Sequence, residues 1–369
     1  MNDSSSMIRF SLPADRSGLV FSSDDALAAG ARAAGLRKEG LAELVYYHQK
    51  TANPQGRLTQ SLKKDYLSTV ARNMVFAGSL ENLRLLLDGL PVALLKGAYL
   101  TTCVYPDPGL RRYGDFDLLI REEDKSEADR RLIQEGYGRM PGSLDDRGSF
   151  TSVPYRPASP GPPVHVHWSL FNSSLPKYMS LKTDVRCFLD KARPSPVGYL
   201  ALCPEHQMIH LCDHAMRHSY DRLILLRDLC EVMEKNKTCI DMDLLAHEAV
   251  RVGVAGPVYY AFLVLGKYGL SLCEQQVLDK LRPLNPGWAG RLFERFLLED
   301  RRKPELSSLY YSSIQQGLGK KARFFYRMMI PDRATMSVIQ GKNIEQVQFR
   351  DFFNRWLRGV KHAQKWLNP

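Results

Sequence analysis

No stretch of this 369-residue chain is long and apolar enough to cross a bilayer. The longest apolar run, Val258 to Leu265, falls far short of the ~20 residues that a spanning helix needs. Residues Met1 to Ser6 lack the basic start and apolar core of a secretory signal, so no transmembrane segment and a cytoplasmic location are expected. Cysteine is sparse: the 7 residues are odd in number, scattered, and contain no Cys-x-x-Cys. That pattern excludes a disulfide framework and a zinc ribbon and predicts reduced, mostly buried thiols. There is no internal repeat and no long low-complexity tract. With 44% hydrophobic and 25% charged residues, the composition is that of an ordinary globular protein. Acidic residues are scarce only toward the end, where from Lys320 onward 11 Lys/Arg face 3 Asp/Glu, giving +8 of the overall +11. A basic tail, unlike a basic chain, makes no case for nucleic acid over a membrane surface or a protein partner.

The chain exceeds what one ordinary core holds, and three regions can be read from its patterning. Up to residue 90 the pattern is helical, with Leu62, Tyr66, Val70, Met74, Ala77, Leu83 and Leu87 recurring at three-to-four spacing. From 91 to 170 the period changes. Pro91 to Leu95 and Tyr113 to Ile120 read as buried strands, Glu122 to Gln134 as a helix closed by left-handed Gly136, and Ser149 to Tyr155 and Val164 to Trp168 as further strands. From 171 to 369 nearly everything reads as helix, interrupted by Pro/Gly breaks. The expected fold is α+β, a small mixed sheet flanked by an N-terminal helical region and a larger C-terminal helical domain.

The chemistry centres on Tyr113-Gly-Asp-Phe-Asp-Leu-Leu-Ile120. In an extended strand, residues two apart share a face, so Asp115 and Asp117 project together, as a hard divalent cation requires. Taken alone, Asp-x-Asp is more often a loop or cap than a metal site. Upstream, Leu94-Leu95-Lys96-Gly97-Ala98 reads as a strand turning into a helix that runs from Ala98 to Tyr105. Gly97 permits close approach of backbone to phosphate, and Lys96 can offer a charge to a triphosphate or simply be solvated. Arg111 and Arg112 are placed either to neutralise phosphate or to serve the surface.

These segments, with the turn Tyr105-Pro-Asp-Pro-Gly-Leu-Arg111, resemble the bacterial nucleotidyltransferase-like family of the DNA polymerase β superfamily. The likeness extends through Val164-His-Val-His-Trp168, Pro204-Glu-His206 to His214, and Asp228. It implies a nucleotidyltransferase-type sheet and transfer of a nucleotidyl group from a nucleoside triphosphate to an unidentified acceptor. Asp115 and Asp117 would hold Mg²⁺, with Mn²⁺ as the variant, while Lys96, Gly97, Ala98 and Arg111 would bind the nucleotide. A third carboxylate is expected on a neighbouring strand, and His165 stands in its place. Its roles remain open: general base, Mn²⁺ ligand, or none in catalysis. His167, His214 and Asp228 would support the site from behind, the last two pairing with each other or facing the cleft.

Two further patterns have bland and sharp readings. His206, His210, His214 and His218, each four apart, form one stripe on a helix and read as hydrogen-bonded core or as a metal site. Phe349 to Leu367 reads as a basic amphipathic helix, expected to dock on the protein's own core; an anionic membrane or an RNA backbone are the alternatives. Tyr310, Tyr311, Phe324, Phe325 and Tyr326 read as core. Two rivals stand beside the transferase reading: a catalytically impaired nucleotide-binding or scaffold protein of the same fold, and a metal hydrolase built on the histidine stripe.

Overall fold

The first described helices form a wall behind the sheet: α1 (Ala26–Glu39), α2 (Ala42–Ala52) and the 30-residue α3 (Arg57–Leu86). The computed structural model describes residues 26–140, 151–170, 187–300, 306–315 and 317–357. On α3 the buried face passes through Leu58, Leu62, Tyr66, Thr69, Asn73, Leu80 and Leu83. The expected apolar stripe is buried at Leu62, Tyr66, Leu83 and Leu87 but breaks in the middle, where Met74 is 66% exposed. Polar residues take the inward positions because each finds a partner there, as buried polar groups must. Thr69 Oγ1 donates to Glu43 at 2.9 Å, and Tyr66 Oη to Asp107 Oδ2 at 2.9 Å. Asn73 Nδ2 donates to the carbonyls of Pro108 and Arg111 at 2.6 and 2.9 Å. The helix therefore pins the loop that leads into the Asp-x-Asp strand.

The chain then enters the sheet through β1 (Ala93–Leu95). It leaves through α4 (Lys96–Tyr99), which loosens into a π-helical turn at Leu100–Val104 where one regular helix was expected. Next come β2 (Phe116–Leu119), α5 (Lys125–Gln134), β3 (Tyr137–Arg139), β4 (Ser152–Pro157) and β5 (Val164–His167). Gly136 closes α5 at φ +87°, the left-handed conformation expected of it. After α6 (Cys187–Asp190), the short strands β6 (Arg193–Pro194) and β7 (Leu200–Ala201) return to the sheet. The order is β3-β4-β5-β2-β1-β7-β6, with β2–β5 and β1–β7 parallel and the other pairs antiparallel. β1 and β2 are buried throughout, which is why both read as apolar runs, broken in β2 only by Asp117. The sheet also takes residues from beyond 190, where the sequence showed only helix.

The remainder is helical: α7 (Pro204–Arg217), α8 (Leu223–Asn236), α9 (Met242–Val252), α10 (Ala255–Lys267), α11 (Gln275–Leu281), α12 (Gly287–Leu298), α13 (Ser307–Ser313), α14 (Leu318–Met329) and α15 (Arg333–Gln340). The architecture is α+β, a seven-stranded mixed sheet among helices. Tyr310, Tyr311 and Phe324 are core, but Phe325 and Tyr326 are exposed because α14 buries Phe324 alone. Residues 349–357 are helical, with Phe349, Phe353 and Trp356 exposed; the rest of the basic helix expected to Leu367 lies outside the described residues. The cysteines are free, with Cys212 and Cys230 buried, four others half-buried and Cys239 exposed, so fewer are enclosed than the sequence reading expected. Among the described residues no helix is long and apolar enough to cross a membrane.

Candidate active site

Strand pairing builds the site. Antiparallel register sets Leu95 opposite Asp117, so Lys96, the next residue, emerges beside that carboxylate. Parallel register sets His165 opposite Asp117 and His167 opposite Leu119. Lys96 Nζ donates to Asp117 Oδ1 at 2.6 Å and His167 Nε2 donates to the same oxygen at 2.9 Å. His165 Nδ1 lies 3.7 Å from it, while His165 Nε2 is 3.1 Å from Ser152 Oγ. The two imidazoles lie against each other with ring centroids 4.1 Å apart. Among the described residues, Asp117, His165 and His167 form the group able to hold a metal ion, their donor atoms all within 4.8 Å of one another. Asp115 stands outside this trio, exposed at the bend before β2. Lys96 adopts φ +47°, the left-handed region that a non-glycine residue occupies only when its surroundings impose it.

The electrostatics follow from burial and from this pairing. Burial alone would raise the Asp117 carboxyl; the Lys96 ammonium, then the His167 hydrogen bond and the imidazoles, outweigh it and hold the group well below the usual carboxylate range. Asp115 is pushed up by desolvation against the cleft wall and by the Asp117 charge. Burial pushes His165 down to about 4 and His167 well below its ordinary value, against the pull of Asp117.

A cleft of ≈ 560 Å³ opens onto Lys96 and the two aspartates, with His165 and His167 behind Asp117 and outside its lining. Lys96, Gly97, Asp115 and Asp117 line one side, with Arg111, Arg112, His214, His218 and Asp228 around it. Ala98 is enclosed beneath, fully buried. The N-terminal wall contributes Arg72, whose Nη2 stands 3.9 Å from the Cβ position of Gly114 and whose guanidinium packs on Phe76. Neither Arg72 nor Arg112 has a salt-bridge partner among the described residues, and each lies in the other's repulsive field. Two unpaired guanidiniums beside an aspartate make an anion site in waiting. Arg72 carried no sequence signal: it lies between inward Thr69 and Asn73 on a polar stretch of α3.

Arg111 is engaged differently from the role the resemblance implies. Its Nε and Nη2 clamp Asp228 at 2.9 and 2.8 Å, and Tyr105 Oη donates to Asp228 at 2.9 Å. Asp228 therefore pairs with Arg111, and not with His214, whose ring meets His218 edge-on at 4.8 Å between centroids. Gly97 is needed for packing, since a Cβ there would lie 2.5 Å from Tyr113 Cβ. Gly97→Ala is expected to cost about 1–3 kcal/mol by overpacking, read as a lowered denaturation midpoint; an unchanged midpoint would mean Tyr113 yields freely.

The histidine stripe does not converge. His206 Nε2 meets Glu248 at 3.1 Å and the ring stacks on Phe188, while His214 and His218 face the cleft. His210 is 1% exposed, with no hydrogen-bond partner on either ring nitrogen among the described residues. Burial pushes it down to about 3. His165 and His210 thus stay neutral in the fold but take up protons near pH ~6.5 once unfolded. The unfolded state binds more protons, so stability is full above pH ~6.5 and falls as pH drops toward the folded values. Between pH 8 and 5 the two together are expected to remove about 4 kcal/mol, seen in urea midpoints across that range. A flat profile would contradict neutral burial.

A mixed sheet carrying an Asp-x-Asp strand at the foot of a cation-lined cleft defines a nucleotidyltransferase-type protein. The model of the uncharacterised nucleotidyltransferase family matches residues 31–268, and the chain belongs to that family. Neither a curated protein nor a solved structure matches the chain.

Proposed function

We propose that this protein transfers a nucleotidyl group from a nucleoside triphosphate to an acceptor, as in the DNA polymerase β superfamily that its motifs resemble. The observation that carries the reading is one cleft lined by Asp115, Asp117, Lys96 and two guanidiniums with no salt-bridge partner among the described residues, Arg72 and Arg112. A divalent cation held at Asp117, with Asp115 at the mouth, would supply charge for the phosphates and the departing pyrophosphate. Arg72 and Arg112 hold the polyphosphate, which keeps the α-phosphorus near the aspartates and offsets charge as it develops. The buried floor of Phe116 and Leu118 fixes the strand under them.

A second reading keeps the nucleotide and drops the transfer. It is favoured by Lys96, whose ammonium already occupies Asp117 Oδ1, and by His165 where a third carboxylate is expected. Incubation of the purified chain with each α-labelled triphosphate, Mg²⁺ or Mn²⁺, and fractionated cell lysate separates the two. Label in a product with pyrophosphate release supports transfer. Calorimetric binding of triphosphate with no label transferred to any fraction makes the protein a nucleotide-binding scaffold.

A further inference from the structure

We propose that the cation site of this chain is built for a borderline transition ion such as Mn²⁺, Co²⁺ or Zn²⁺, not for Mg²⁺, with Asp117, His165 and His167 as its ligands. The inference rests on the cleft assigned above, but its readout is bound metal, not turnover. Mg²⁺ demands oxygen ligands, and imidazole is a poor one for it; neutral imidazole suits Mn, Fe, Co and Zn. Here the groups that come together are one carboxylate and two imidazoles, and His167 Nε2 ligates once its proton is carried on Nδ1.

Geometry supports this independently of ligand type. Ser152 Oγ lies 3.1 Å from His165 Nε2. With the proton on that nitrogen, Nδ1 turns a lone pair toward Asp117 Oδ1, 3.7 Å away, and the two acceptors bracket a place for a cation; in the other tautomer Ser152 donates to Nε2 and Nδ1–H points at the carboxylate. Two ligands each ~2.1 Å from one ion at a tetrahedral angle stand ~3.4 Å apart, close to this spacing. An outer hydrogen bond that fixes ring orientation, as Ser152 provides for His165, is the usual support of a metal-binding histidine.

Lys96 is the cation now filling the position. Its Nζ, 2.6 Å from Asp117 Oδ1, cannot stay there beside a dication on the same oxygen. Metal binding therefore displaces the ammonium from Asp117 Oδ1 into the cleft that Lys96 lines. Metal and Lys96 compete for Asp117, and the displaced lysine joins the groups that face an anion.

The test uses the full chain stripped of metal, titrated with Co²⁺, Mn²⁺ and Mg²⁺ without nucleotide, with the Co²⁺ visible spectrum as a ligand signature. Any oxygen site also ranks first-row ions above Mg²⁺, so the wild-type preference is read against variants. His165→Asp, which restores a carboxylate, is expected to tighten Mg²⁺ and shrink the Co²⁺-over-Mg²⁺ preference by about 100-fold, with loss of the nitrogen-ligand spectrum. His167→Ala is expected to weaken Co²⁺ by on the order of 100-fold with Mg²⁺ little changed. Lys96→Met, which removes the competitor, should tighten Co²⁺. Melting curves identify any variant that fails to fold, in which case His165→Gln replaces it. A metal preference and spectrum unchanged by His165→Asp and His167→Ala overturn the proposal. Selective Co²⁺ binding with no label transfer sinks the transferase reading and leaves this one standing; Mg²⁺-driven transfer with no imidazole ligation does the reverse.

Discussion

Asp117→Asn is expected to lower label transfer by on the order of 10³-fold, equivalent to about 4 kcal/mol of transition-state stabilisation. The substitution keeps the volume and removes the charge, so it strips the cation site of its one buried carboxylate. It also leaves the Lys96 ammonium, whose side chain is 16% exposed, without its counter-ion. Breaking such a pair from one side costs about 3–5 kcal/mol, so lost activity alone would not separate chemistry from unfolding. Two companions do. Asp115→Asn is exposed, so its stability should stay within about 0.5 kcal/mol of wild type while transfer falls comparably. Lys96→Met with Asp117→Asn removes both charges and should regain stability without regaining transfer. A folded Asp115→Asn protein with undiminished turnover would mean that the paired aspartates do not carry the reaction.

What the sequence made legible was local. Asp117 could be assigned to a buried strand from neighbouring residues alone, whereas Asp115, expected on the same strand, sits at the bend just before β2. The turn at Lys96-Gly97 and the left-handed Gly136 were readable for the same reason. What it could not supply was which strands lie together. The parallel pairing that sets His165 opposite Asp117 joins segments 48 positions apart, and no periodicity encodes it. Without that register the residues themselves left His165 and His167 as two histidines on one strand face; only the family resemblance placed them near the aspartates, and the shared contact with Asp117 Oδ1 and Lys96 came from the fold. The α3 stripe held at Leu62, Tyr66, Leu83 and Leu87 but broke at Met74 and Ala77 for a different reason. Hydrophobic periodicity assumes that inward positions are apolar, whereas here Thr69 points inward to Glu43 and Asn73 to the loop before the aspartates. Functional demand overrode the pattern at the place where helix and site meet.

Asp228→Ala is expected to destabilise the fold by about 3–5 kcal/mol, a large part of the ~5–15 kcal/mol that keeps a typical domain folded. Asp228, its side chain 3% exposed, accepts hydrogen bonds from Arg111 Nε, shared between its two oxygens, from Arg111 Nη2 and from Tyr105 Oη. Alanine leaves the Arg111 guanidinium, 15% exposed, charged and unpaired, and orphans the Tyr105 hydroxyl. The pair also has a mechanical role, because it ties α8 to the loop that Asn73 grips from α3. That loop delivers Arg112, Gly114 and Asp115 to the cleft. Cutting the α8 tie should therefore lower transfer even at temperatures where the variant remains folded, raising KM for triphosphate as Arg112 loses its fixed position. Arg111→Met with Asp228→Leu, which removes both charges at similar volume, should recover most of the stability, since a buried ion pair gains little over well-packed apolar groups. If Asp228→Ala costs less than about 1 kcal/mol in urea unfolding, the clamp does not hold the loop, and the placement of Asp115 must then rest on α3 alone.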